Sequence, residues 1–428
     1  MNNADLAWMM ISTALVLLMT PALGFFYGGL VRSKNVLNAL MMSFVSLGFG
    51  ALAWVVLGYS LAFSEGGPLL GGTSWALLTG VDLEAHGTIP HLLFMAYQGT
   101  FAIITVALVS GALVERLRFS AYLLFVPLWV LVVYAPVAHW VWGGGFLGAM
   151  GALDFAGGTV VHVNAAAAAV SAAVLLGPRK DYARLAVLPH NVPFTLLGAS
   201  LLWIGWFGFN AGSALSANTS AVLAFVNTFL APAATLAAWC LLDLARLRRV
   251  TAVGCATAIV VGLVAVTPAA GLVSPMSAIA LGVVAAVPSY FAILWRSRTR
   301  LDDSLDVAAA HGVGGATGAL LTGVLAQKSL NGIADGALFG NPAQLATQLV
   351  AVLATIAFSA AATFVVLKLV ALLVPLRVEA NDEARGLDIT QHGEEAYAQG
   401  DGAILVIQRA AEAPAPLPHP VIESGGQT

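Results

Sequence analysis

Residues 118–137 read Arg118-Phe119-Ser120-Ala121-Tyr122-Leu123-Leu124-Phe125-Val126-Pro127-Leu128-Trp129-Val130-Leu131-Val132-Val133-Tyr134-Ala135-Pro136-Val137. One charge stands at the start and none follows. The pattern does not alternate, so this is no β-strand of a membrane barrel. A helix of about 20 apolar residues is long enough to cross the hydrocarbon core of a bilayer. Such runs recur along the 428-residue chain, whose mean hydropathy is +0.89. Charged residues make up 9% of the chain, against about 25% in soluble domains. Backbone exposed to lipid must satisfy its own hydrogen bonds, which leaves helices as the spanning element here. There is no basic stripe of the kind that binds nucleic acid.

Eleven spans are expected, at residues 7–30, 38–63, 91–115, 118–137, 158–176, 194–212, 219–243, 250–268, 276–295, 307–326 and 345–374. Basic residues mark the cytoplasmic connections. They sit in every odd-numbered one: Arg32 and Lys34; Arg116 and Arg118; Arg179, Lys180 and Arg184; Arg246, Arg248 and Arg249; Arg296, Arg298 and Arg300. The even-numbered connections hold only Lys328. The N-terminus is therefore expected outside and the C-terminus inside. Met1–Trp8 lacks Lys and Arg, so no cleavable signal peptide is expected.

The chain repeats itself weakly. Gly24-Phe25-Phe26-Tyr27-Gly28-Gly29 closes span 1, and Gly205-Trp206-Phe207-Gly208-Phe209-Asn210 lies in span 6. Spans 5 and 10 each carry a histidine, His162 and His311, and each follows an aspartate, Asp154 or Asp306. An offset of five spans inverts the second copy and places a binding site at the interface between the copies, near the midplane. The expected fold is an all-α polytopic membrane protein: an inverted five-helix repeat plus one extra helix. Residues 1–375 form the membrane domain. Residues 376–428, richer in charge, form a cytoplasmic tail whose Pro/Ala-rich end is expected to be disordered.

Ionisable groups inside spans cost about 2.5–3.5 kcal/mol at a helix centre, so they are candidates for function. His162 and His311 are the foremost, although a lone histidine could simply bridge helices. Side by side in an apolar pore both rings would stay neutral, each offering one donor and one acceptor. No third ligand at metal-site spacing accompanies them, and no metal or other cofactor is expected. Asp154 precedes span 5, where an aspartate is often only a helix cap. Its fixed charge would also favour a cation nearby. Trp142, Phe101 and Phe209 offer ring faces, each worth about 0.5–2 kcal/mol to a small cation. Ser213 adds an oxygen. Taken singly, Trp142 reads as an interface anchor and the phenylalanines as packing. Cys240 and Cys255, the only cysteines, lie in apolar stretches and imply no disulfide framework. No hydrolase elbow or zinc-peptidase motif is present, so no enzyme is expected.

Four blocks together resemble the ammonium transporter (Amt/Mep/Rh) family, bacterial Amt type. They are Asp154-Phe155-Ala156-Gly157-Gly158-Thr159-Val160-Val161-His162, Phe25-Phe26-Tyr27-Gly28-Gly29-Leu30-Val31-Arg32, Trp206-Phe207-Gly208-Phe209-Asn210-Ala211-Gly212-Ser213 and Ala310-His311-Gly312-Val313-Gly314-Gly315. The resemblance implies selective transport of ammonium or ammonia through a homotrimer in the bacterial cytoplasmic (inner) membrane, one pore per subunit. It implies a recruitment site from Phe101, Trp142 and Ser213 supported by Asp154, a gate of Phe101 and Phe209, and His162 and His311 in the pore. The tail segment Glu383-Ala384-Arg385-Gly386-Leu387-Asp388 is similar to bacterial tails on which a PII signal-transduction protein docks. Many members have glycine where this chain has Ala166, which puts helix packing there in question. A sensor that signals through the tail is the alternative reading.

Overall fold

The computed structural model describes residues 1–182, 184 and 188–397. Eleven of its helices are long and apolar enough to cross a membrane. In chain order they are α1 (Asn3–Leu30), α2 (Ser33–Phe63), α3 (His91–Ala112), α4 (Phe119–Ala149), α5 (Gly158–Leu176), α6 (Val192–Gly212), α7 (Thr219–Leu247), α8 (Ala252–Ala269), α9 (Pro275–Arg296), α10 (Ala308–Leu325) and α11 (Ala343–Leu373). Several start on an N-cap that the sequence supplies. Asn2, Asn191, Asn218, Thr251 and Ser274 each accept a hydrogen bond from a backbone N–H in the first turn of α1, α6, α7, α8 and α9. This satisfies donors that a helix leaves without partners. α4 runs further than expected: its main helix ends at Trp142, Gly143–Gly145 turn the chain, and Phe146–Ala149 adds one more turn.

The connections separate cleanly onto two faces. On one, Asn2 N–H donates to Thr88 O, the carboxylate of Asp5 accepts from Ala217 N–H, and Gln327 N–H donates to Leu272 O. These belong to the N-terminus and the even-numbered connections. On the other, Arg32 pairs with Glu115, Arg179 with Asp302, and Arg118 N–H donates to Leu376 O. These belong to the odd-numbered connections and the tail. The alternation of basic residues and the geometry agree on an N-out, C-in chain of eleven spans.

α1 lies along α6, and α5 packs on α10. The packing of α2 on α4 is matched by that of α7 on α9, as an inverted repeat requires. α11 stands outside the repeat and packs on α5 and α10. Ala166 of α5 faces Gly312 of α10, where an added Cβ would lie 3.0 Å from the alanine methyl. One methyl fills that crossing and two would crowd it. The described part of the tail, up to residue 397, lies on the cytoplasmic face. A short helix, α12 (Ala380–Arg385), places Glu383 against Arg377 and the N–H of Lys180. Asn35 Oδ1 accepts from Leu387 N–H, and Asp388 accepts from Asn38 N–H. The expected disordered end lies outside the described residues.

Candidate functional site

The site is built where α5 and α10 begin. Gly157 takes a left-handed backbone conformation (φ +109°) that folds the chain back beneath Asp154. The Asp154 carboxylate then accepts four backbone N–H bonds, from Gly157, Gly158, Thr159 and Val160, at 2.6–3.0 Å. Burial pushes this carboxyl above its ordinary value, and the four donors pull it part of the way back. With both oxygens engaged, Asp154 is a helix cap.

Its counterpart in the second repeat is Asp303, eight residues before His311 as Asp154 is before His162. Asp303 accepts from Ala308 N–H at 2.7 Å. The sequence pairing of Asp154 with Asp306 is corrected here. Asp306 has φ +59° and forms an ion pair with Arg296 at 2.6 Å. Burial first, and then the charge of Asp306, push the Asp303 carboxyl up to about 6.

Each cap leads into a π-helical turn, Gly158–Val163 and Ala308–Val313, that contains the histidine. Such widened turns are frequent at functional sites. They bring the two rings together: His162 Nδ1 and His311 Nδ1 are 3.2 Å apart. One Nδ1 donates and the other accepts, so the two Nε2 atoms take opposite roles. Nε2 of His162 is buried without a protein partner.

Above the histidines, Phe101 and Phe209 stack at 4.2 Å between ring centroids and 21° between planes. Trp142 meets Phe101 edge-on at 6.0 Å, and its Nε1–H donates to the carbonyl of Asp154. Outside this stack is a vestibule of about 320 Å³ lined by Phe94, Gln98, Phe101, Trp142, Phe155 and Ser213, among others. The Ser213 hydroxyl donates to Phe209 O at 2.8 Å, leaving its oxygen able to accept. Inside the stack is a throat of about 10 Å³, walled by Leu23, Ile104, Leu108, Val161, Leu202 and Val260 among others, with both histidines. That is room for about one water-sized molecule. His311 and Phe26 also border an inner vestibule of about 310 Å³ that carries Arg296, Ser304 and Asp306.

The Ammonium Transporter Family profile matches residues 7–397, nearly the whole membrane domain and the docked tail. The chain belongs to the ammonium transporter family. It is 46% identical to the ammonium transporter of Bacillus subtilis, covering 93% of this chain and 99% of that one. It is 44% identical to ammonium transporter Amt1 of Archaeoglobus fulgidus, covering 93% and 100%. Among solved structures it is similar to Mep2 of Candida albicans, with a TM-score of 0.84 and 34% identity over 89% of this chain and 88% of that one. A structure described as a sensor Amt protein also matches, with a TM-score of 0.84 and 29% identity, covering 91% and 98%.

In this family member, Phe101, Trp142 and Ser213 face one vestibule, Phe209 stacks below, and His162 and His311 lie below that. Asp154 does not line the vestibule. Three features escaped sequence reasoning. Trp206 stacks on His162 at 5.4 Å and is held by a bond from its Nε1–H to Thr267. Tyr97 donates to the Gly208 and Phe209 carbonyls and lies 3.3 Å from the Ser213 hydroxyl. The repeat alignment gave a signal for Asp303, since its offset from His311 equals that of Asp154 from His162. Trp206 and Tyr97 gave none, because an aromatic residue within a span reads equally well as packing.

Among the described residues no group of three or more His, Cys, Asp or Glu side chains could hold a metal ion.

Proposed function

We propose that the chain moves ammonium across the bacterial cytoplasmic membrane by taking up the cation outside and passing neutral ammonia through the throat. The observation that carries this reading is the sequence of environments along one axis: a ring-lined vestibule, a closed ring stack, then an apolar throat whose only unpaired hydrogen-bonding groups are imidazoles. Ring faces of Trp142 and Phe101 and the oxygen of Ser213 hold a partly dehydrated cation. Entry into the throat removes water from it, and removal of water disfavours a charged ammonium. Ammonium escapes this cost by releasing its proton. Potassium, of similar size, has no proton to release and stalls at the phenylalanines. Ammonia can then accept an N–H from one histidine Nε2 and donate to the other, which the shared Nδ1 proton sets in opposite roles.

The family implies a homotrimer with one pore per subunit, and the docked tail beside the inner vestibule offers a landing place for a PII signal-transduction protein. A sensor role has weaker support, because the family and the curated relatives are named for transport.

The test is the current on a solid-supported membrane carrying the reconstituted protein, after an ammonium jump and a potassium jump. Ammonium alone should give a signal: a current where the released proton also crosses, or an alkaline shift of an internal pH dye where only ammonia does. The His162→Ala variant should lose discrimination against potassium; full selectivity in that variant would sink the mechanism. No flux of either species, by current or by an internal pH dye, would favour the sensor.

A further inference from the structure

The two cysteines of the chain meet across the α7–α8 hairpin. Cys240 and Cys255 are free thiols, both half-buried, with their sulfurs 3.8 Å apart. A disulfide requires sulfurs about 2.05 Å apart with β-carbons about 3.5–4.5 Å apart. The two sulfurs, 3.8 Å apart, are already in van der Waals contact and must close by about 1.75 Å to bond. The hairpin holds them in register. Asp243 accepts from the N–H and the hydroxyl of Thr251 at 3.0 and 2.8 Å, and from the Tyr290 hydroxyl at 3.1 Å. This clasp ties the end of α7, the start of α8 and α9 together on the cytoplasmic side of the thiols.

We propose that Cys240 and Cys255 are a site of reversible oxidation that staples α7 to α8 and throttles the pore. The oxidant is a hydroperoxide, hydrogen peroxide being the simplest. One sulfur attacks the peroxide, the O–O bond breaks, and a sulfenic acid and one water form. The second sulfur attacks that sulfenic acid and displaces a second water. Two S–H bonds and one O–O bond are lost, and one S–S bond and two O–H bonds are gained. The sulfurs give up the two electrons that the peroxide oxygens take. Cytoplasmic reductants return the pair to thiols, so the staple is transient. It reaches transport because α8 also lines the path: Val260 faces the throat, and Val253 and Thr257, either side of Cys255, face the inner vestibule. Drawing the two sulfurs together shifts that stretch of α8 against the rest of the vestibule.

The full-length protein in liposomes is treated with hydrogen peroxide, then denatured and alkylated with iodoacetamide, and its intact mass is measured. The expected mass is lower by two hydrogen atoms with no adduct, and two adducts appear once dithiothreitol is added first. Two adducts without reductant, added oxygen in place of the link, or a dimer joined between chains would each overturn the proposal. Cys240→Ser and Cys255→Ser should each abolish the internal link. In the same liposomes the wild-type ammonium current should fall with peroxide and return with dithiothreitol, while Cys255→Ser is indifferent. A linked wild type with unchanged current overturns the control of transport. The current rests on the function proposed above and the mass does not, so a failure of that reading is distinguishable.

Discussion

At the level of single residues, a few buried polar groups hold the path in shape. Asp154 satisfies four N–H donors that lipid could not. In Asp154→Asn, one oxygen becomes an NH2 group and faces donors. Leaving two buried N–H groups without acceptors costs about 2–6 kcal/mol at about 1–3 each. The expected result is a markedly lower unfolding temperature in detergent together with lost transport. Ser213→Ala should leave the fold intact and cost about 1 kcal/mol of cation binding, a rise of about fivefold in the ammonium concentration for half-maximal current. An unchanged half-saturation would remove Ser213 from the recruitment site. Asp303 gives a pH signature. Its folded-state value of about 6 lies above the ordinary 3.8, so between these values the native state holds the proton more tightly than the unfolded one. Its contribution to stability therefore falls as pH rises from about 4 to 6 and is flat above. Comparing unfolding temperatures over that range in wild type and Asp303→Asn checks this; the variant should lose that component of the slope.

Among the elements, the decisive contact is between the openings of α5 and α10. A Cβ built on Gly315 of α10 would lie 3.1 Å from the Cβ of His162 and 3.2 Å from the carbonyl of Gly158. Both neighbours belong to the π-helical turn that aims the histidine. Gly315→Ala should therefore fold, because the displacement required is a few tenths of an ångström, and yet lower the ammonium current by parting the imidazoles. A variant with wild-type current would show that the histidine spacing tolerates this shift. Ala166 shows the reverse case. Its methyl is accommodated by Gly312 opposite, so the alanine that put packing in question is absorbed at that crossing.

Across the whole molecule, the cytoplasmic face is tied by charges from distant connections. Glu115 lies 2.7 Å from Arg179 and 2.9 Å from Arg32, and Arg179 also pairs with Asp302 at 2.9 Å. Burial alone would raise the Glu115 carboxyl, but Arg179 and Arg32 outweigh it and hold it at about 2. The stability it contributes is complete above its ordinary 4.5 and is lost as pH falls towards 2. Removing one member of a buried network leaves an uncompensated charge and costs about 3–5 kcal/mol. Arg179→Met should accordingly unfold at much lower temperature, read by thermal unfolding in detergent. Glu383→Ala should act more locally, freeing α12 from Arg377 and Lys180. The expected outcome is faster protease cleavage in 377–397 with little change in the unfolding temperature of the membrane domain.

The number of spans, their orientation and the histidines to look at were decided by the amino-acid sequence alone. The physical reason is that a bilayer imposes a length on apolar runs, sorts Lys and Arg to one side, and makes every buried ionisable group costly enough to stand out. Those rules act on composition along the chain and need no knowledge of packing. The tertiary structure alone decided that the imidazoles share a bond and that Phe101 and Phe209 stack above them, and it showed that Asp303, not Asp306, is the second cap. It also brought Glu115, Arg179 and Asp302 into one network and Cys240 against Cys255. Each depends on which faces of separate helices meet, and small residues and aromatic rings inside a span read alike whether they face lipid, a neighbour or the pore.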